Sequence, residues 1–164
     1  MIILGIDPGL ATMGYGVIEV VGNSRRAIQY GVLSTKANES TPARLRTIFQ
    51  GVNELLDIYR PDEVAFEELF FVRNVTTGIG VSAARGAALV AVATRTDDLY
   101  EYTPMQIKQA VTGYGHADKQ QVQRMVKALL NMDEIAKPDD AADALAVALT
   151  HANSMQMKKL YKLK

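Results

Sequence analysis

Ile2-Ile3-Leu4-Gly5-Ile6-Asp7-Pro8-Gly9 opens as a short apolar run and ends in a carboxylate followed by two chain-breaking residues. Stopped by Pro and Gly, it reads as a buried strand that turns at Asp7. Two β-rich runs follow, Met13 to Val21 and Ala27 to Ser34, separated by Gly22-Asn23-Ser24, and together with the first they predict an antiparallel meander. The period then changes: Leu45, Ile48, Phe49, Val52, Leu55, Leu56 and Tyr59 recur at helical spacing until Pro61 stops them. Val64-Ala65-Phe66 starts a fourth strand that runs into Glu67-Glu68, and a long helix is expected over Gly78 to Ala93. Leu99 to Tyr102 reads as a fifth strand. Helices are then expected over Pro104 to Val111, over Asp118 to Met132 with Val122, Met125, Val126 and Leu129 inward, and from about Pro138 to His151. This order predicts an α/β fold, one mixed five-stranded sheet flanked by helices.

A chain of 164 residues is the size of one domain and can bury a core without disulfides or structural metal. We place that domain at residues 1–155 and a basic C-terminal tail at 156–164. The absence of cysteine excludes thiolate zinc sites, iron-sulfur clusters and a Cys nucleophile, and it fits a reducing cytoplasm. Neither a signal peptide nor a stretch able to span a bilayer is read, which predicts a soluble protein with no membrane partner. Basic and acidic residues both number 18, but Lys158, Lys159, Lys162 and Lys164 crowd the tail. A basic tail on an acidic body hints at nucleic acid; a solvated, frayed terminus is the plainer explanation.

The informative residues are acids standing where a fold normally places apolar side chains. Asp7 and Glu67 each close an apolar strand, and Asp140 and Asp143 lie three apart on a helix rich in Ala and Leu, which puts both on one face. Singly, each has a modest explanation: Asp7 as a turn residue, Asp139 and Asp140 as helix N-caps, Glu67 with Glu68 as an exposed strand end. The combination is not explained that way, because buried ionised acids without partners are very costly. An all-oxygen donor set suits Mg²⁺, with Mn²⁺ as a substitute, rather than zinc. Two such ions about 3.5 to 4 Å apart could activate water and stabilise a leaving oxygen, so the chemistry expected is phosphoryl transfer to water.

Seven ordered blocks carry a resemblance across nearly the whole chain. They are Ile3-Leu4-Gly5-Ile6-Asp7-Pro8-Gly9, Gly14-Tyr15-Gly16-Val17-Ile18, Ala65-Phe66-Glu67, Ala84-Arg85-Gly86, Gln106-Ile107-Lys108-Gln109, Lys119-Gln120-Gln121-Val122 and Asp140-Ala141-Ala142-Asp143-Ala144-Leu145-Ala146. In order and spacing they resemble the RuvC-type Holliday junction resolvases. The resemblance implies a ribonuclease H-like fold and a homodimer that nicks a four-way DNA junction symmetrically with Mg²⁺ in recombination and repair. It also implies contact with a branch-migration motor. By motif position, Asp7, Glu67, Asp140 and Asp143 take the metal-binding catalytic roles, and Lys108 and Lys119 hold phosphate or screen developing charge. Phe70 matches a family aromatic that stacks on junction bases, and Arg73 would contact backbone phosphate.

Alternatives remain at this level. Only one of Glu67 and Glu68 can face Asp7, since strand side chains alternate; the block alignment selects Glu67. Gly78, Ser82 and Gly86 form a small-residue face that suits either a dimer or packing on the sheet. His151 reads as structural or capping, and His116 has no assignment. A broader nuclease for branched or flapped DNA, a binding-only relative and a sugar-kinase or actin-like nucleotide-binding lobe are the competing functions. With neutral overall charge, DNA binding would rest on a local patch of Arg73, Arg85, Lys108, Lys119 and the lysine tail.

Overall fold

The structure, a computed structural model, describes residues 1–69 and 75–164, with the side chains of residues 75–77 outside the description. Five strands form one sheet in the order β3-β2-β1-β4-β5. They are β1 (Ile2–Asp7), β2 (Thr12–Val21), β3 (Ser24–Ser34), β4 (Glu63–Glu67) and β5 (Leu99–Tyr102). The first three make the antiparallel meander, while β1, β4 and β5 run parallel. Gly22, with φ +58, supplies the left-handed residue of the β2–β3 turn, a conformation that costs glycine little.

Helices α1 (Thr41–Tyr59) and α2 (Val75–Ala93) cover one face of the sheet. Helices α3 (Pro104–Thr112), α4 (Lys119–Leu129) and α5 (Asp139–Asn153) cover the other. Each face has its own core: Leu4, Ile6, Phe66, Ile48, Val52 and Ala88 on the α1/α2 side, Ile3, Ala65, Tyr102, Leu145 and Leu149 on the α5 side. The central strand β1 contributes to both, which is why it reads as a continuous apolar run rather than an alternating one. No helix among the described residues is long and apolar enough to cross a membrane.

Two findings depart from the sequence reading. On α4 only Val122 and Val126 turn fully inward; Met125 and Leu129 are 37% and 40% exposed, and Leu130 just past the helix takes the next core position. The inward stripe of this short helix is one residue wide per turn, so its flanking apolar residues stay at the rim. The C-terminal tail also packs on the domain instead of forming a frayed terminus. A 3-10 helix, η1 (Met155–Tyr161), follows α5, and the N–H of Leu163 donates to the carbonyl of Leu99 at the edge of β5. Lys158 pairs with Glu63 and Lys162 with Asp98, so two tail lysines neutralise acids of the domain itself.

Candidate active site

Glycines decide how closely α5 lies on the sheet. A Cβ on Gly14 would stand 2.0 Å from the carbonyl oxygen of Asp140, and one on Gly5 would stand 2.2 Å from that of Ala144. No side chain can occupy such space, so these positions let the helix backbone rest directly on β1 and β2. The register places Gly14 opposite Asp7, and the N-terminal turn of α5 is therefore delivered to the end of β1. Asp139 and Asp140 both sit in that first turn, where the helix dipole favours acids, with Pro138 in the cap position that the sequence reading gave to the aspartates.

Asp7 and Glu67 close neighbouring parallel strands whose register pairs Ile6 with Phe66, which brings the two carboxyls side by side and within hydrogen-bonding reach. Burial of the pair favours the protonated form of each carboxyl. Burial first, then the charges of Glu67, Asp143 and Asp140, push the Asp7 carboxyl up to about 8. Burial and the charge of Asp143 push Glu67 up to about 7, against the pull of Asp7, Lys119 and Lys108. Asp143 is raised as well, by burial, although its ion pair with Lys119 works the other way. Glu68 takes another course: its N–H donates to the carbonyl of Tyr102 at 2.9 Å, and its carboxyl does not line the pocket described next.

A pocket of about 250 Å³ opens beside these acids, lined among others by Glu67, Asp143, Lys108, Lys119, Ile107 and Val122. Lys119 Nζ lies 3.0 Å from Asp143 Oδ2 and 3.2 Å from Asp139 Oδ2. The capping box of α4, in which Asp118 and Gln121 each accept from the other's backbone N–H, fixes the helix start that carries this lysine. Two ammonium groups thus border the cluster, and that of Lys119 is committed to two ion pairs.

The donor set fits a hard divalent cation. It is all carboxylate, its four acids outnumber its two lysines, and burial raises the proton affinity of Asp7 and Glu67, whose protons a cation would displace. The side chains are not drawn onto one point: among the described residues no three His, Cys, Asp or Glu groups are gathered tightly enough to ligate an ion directly.

The remaining expected residues fall in three groups. Phe70 and Arg73 lie outside the described residues. Arg85 is not available to a DNA patch, because its guanidinium is 19% exposed and bonds Glu101 Oε2 at 2.6 Å. The small-residue face of α2 turns away from the sheet: a Cβ on Gly86 would meet nothing within 4 Å, Ser82 is exposed, and Ile79 and Val90 are 67% and 57% exposed nearby. His151 is structural, as its position suggested. Its imidazole is fully buried, with Nε2 2.6 Å from Glu63 Oε2 and Nδ1 2.8 Å from the Tyr102 hydroxyl. His116 packs edge-on to Tyr114 at 5.7 Å between ring centroids. Asp139, beside the acid cluster, and Glu63, at the far end of β4, are residues that the sequence did not single out for these contacts. For Asp139 the available signal was its place one helical turn before Asp143; for Glu63 there was none.

Comparison with known proteins follows the same line. The family model for crossover junction endodeoxyribonuclease RuvC matches residues 3–151. Over 164 residues the chain is 53% identical to the crossover junction endodeoxyribonuclease RuvC of Alkaliphilus metalliredigens, covering 100% of both. The solved structure of Thermus thermophilus RuvC in complex with Holliday junction substrate matches with a TM-score of 0.91 at 41% identity, over 96% of each chain. The yeast mitochondrial Holliday junction resolvase shares the fold, with a TM-score of 0.71 at 16% identity over 98% of this chain and 82% of that one.

Proposed function

The chain belongs to the crossover junction endodeoxyribonuclease RuvC family, and from that membership we infer that it is an endonuclease that resolves four-way (Holliday) DNA junctions. The observation that carries the local chemistry is the burial of Asp7, Glu67 and Asp143 together beside a pocket bordered by Lys108 and Lys119. Asp7, Glu67, Asp140 and Asp143 would hold Mg²⁺, or Mn²⁺ in its place, as two ions per site. That group would supply a nucleophilic water at neutral pH and stabilise charge on the leaving oxygen.

The chain's own residues do the rest. The carboxylates fix where the scissile phosphodiester must lie, at the carboxyl ends of β1 and β4. Lys108 and Lys119 hold phosphate oxygens and offset the charge that grows on them as the bond breaks, an effect strongest where water is excluded. Phe70 would stack on a junction base, a contact worth about 1 to 3 kcal/mol, with Arg73 on the neighbouring backbone. The open face of α2, formed by Ile79, Ser82, Gly86 and Val90, suits a second copy of the chain, which two symmetric nicks require. Contact with a branch-migration motor and a cytoplasmic location complete this reading.

The test is cleavage of a labelled immobile four-way junction beside linear duplex and a flap, with Mg²⁺ and with EDTA, mapping cuts on every strand. Paired symmetric nicks confined to the junction and lost in EDTA are expected. Equal cutting of flap and junction would replace this reading with the broader branched-DNA nuclease, and folded protein that binds but cuts nothing would make it a binding-only relative. Phe70→Ala should impair cleavage of intact junctions more than of pre-opened ones; equal losses would remove Phe70 from base stacking.

A further inference from the structure

Lys119 is shared between two acids with different surroundings. Asp143 belongs to the half-buried cluster, whereas Asp139, one turn earlier on α5, has a side chain 63% exposed and does not line the pocket. Asp139 is nevertheless held in place. Its Oδ1 accepts from Gln123 Nε2 at 3.0 Å while its Oδ2 faces Lys119 at 3.2 Å. Lys119 and Gln123 are four apart on α4, and Asp139 and Asp143 are four apart on α5. Two helix faces are thus stitched by a four-membered polar array in which Asp139 takes two of the contacts and Asp143 one.

This arrangement bears on what happens to Lys119 when Asp143 is required elsewhere. An ammonium and a divalent cation compete for the same carboxylate oxygen. If Asp143 were its only partner, the ammonium would be released to solvent and lose its position. Resting on the reading that the acid cluster receives a divalent cation, we propose that Asp139 is a positioning residue for Lys119. It gives the ammonium a second carboxylate, fixed by Gln123, on which to remain at the pocket edge while Asp143 turns to the cation. Cation entry then exchanges one ion pair for another, and Lys119 stays where a phosphate oxygen would meet it.

The experiment is Mn²⁺ binding to the metal-free full-length protein, read from the electron paramagnetic resonance signal of free Mn²⁺, for the wild type, Asp139→Asn, Lys119→Met and the double variant. Asp139→Asn should weaken Mn²⁺ binding about two- to fivefold when Lys119 is present, the scale of an exposed ion pair. In the Lys119→Met background the same substitution should do less, and Asp139→Glu should restore binding. The half-saturating Mg²⁺ for junction cleavage should move in the same direction. An Asp139→Asn effect equal in both backgrounds, or larger without Lys119, would show a bulk charge effect and overturn the positioning role. Wild-type protein that binds no Mn²⁺ would overturn it too, together with the cation-site reading. Wild-type binding without coupling to Lys119 would leave that reading intact and remove this inference alone.

Discussion

Strand β4 and helix α5 each carry two polar clusters, one at either end, and the two ends solve the burial of a carboxylate in opposite ways. At one end Glu67 and Asp143 meet Asp7, and burial, with too little positive charge to offset it, pushes the carboxyls up. At the other, Glu63 is closed in by His151 and Lys158. A carboxylate can only accept, so His151 must donate to Glu63 from Nε2. Burial lowers the imidazole's affinity for a second proton, which leaves Nδ1 bare to accept from the Tyr102 hydroxyl. Burial also raises the Tyr102 phenol, which keeps its proton. Every group in that network has a partner. One end is therefore fully paired, and the other is left with more acids than partners.

The largest effect expected from breaking this comparison is at the open end. Asp7→Asn should lower junction cleavage by about a hundred- to a thousandfold, the scale of losing one electrostatic contribution to the transition state, while gel-shift binding of the junction remains near wild type. Loss of binding together with cleavage would mean that Asp7 is needed for the fold. Next is the closed end. Glu63→Leu strands the His151 N–H and the Lys158 ammonium, and it should cost about 2 to 3 kcal/mol of stability in urea unfolding. Well below its melting temperature that variant should still cut. A neutral Glu63→Leu would show that the network is not holding β4 to α5, and lost cutting in a folded variant would tie the closed end to the chemistry.

Much of the first cluster was legible because each acid interrupts a local pattern. Asp7 and Glu67 end apolar strands, and Asp140 and Asp143 break an Ala- and Leu-rich helix at a spacing that fixes their face. The sheet and its helices were legible for the same reason, since periods of two and 3.6 are local. The second cluster was not. Glu63 meets His151 and Lys158 across 88 and 95 residues, and nothing near Pro61-Asp62-Glu63 marks it as buried. The tail misled likewise: Lys158 and Lys162 look like solvated charges until the strand edge they neutralise is known. Met125 and Leu129 show the limit of periodicity, which places a residue on a face of a helix but not how wide the buried stripe is. Asp139 was hidden by its neighbour, since two adjacent aspartates after a proline look like capping residues.

The smallest effect tests the electrostatics of both ends at once, with the metal-free protein. A carboxyl whose value is raised on folding binds its proton more readily in the folded chain. Between the free values of 3.8 and 4.5 and the folded values of about 8 and 7, the folded state thus holds more protons than the unfolded one. Stability in EDTA must then fall as pH climbs through that window. His151 acts with the opposite sign: its value is lowered from 6.5, so below that pH the unfolded chain takes up the proton first and stability falls on acidification. Thermal unfolding at a series of pH values should therefore show a slope from each end. Asp7→Asn should flatten the alkaline fall and raise metal-free stability at pH 8 by more than about 1 kcal/mol, the worth of one pKa unit, while leaving the acid side unchanged. Added Mg²⁺ should do to the wild type what the substitution does, because a cation and a neutralised carboxyl relieve the same repulsion. An alkaline fall that persists unchanged in Asp7→Asn would locate the strain elsewhere and erase the contrast between the two ends.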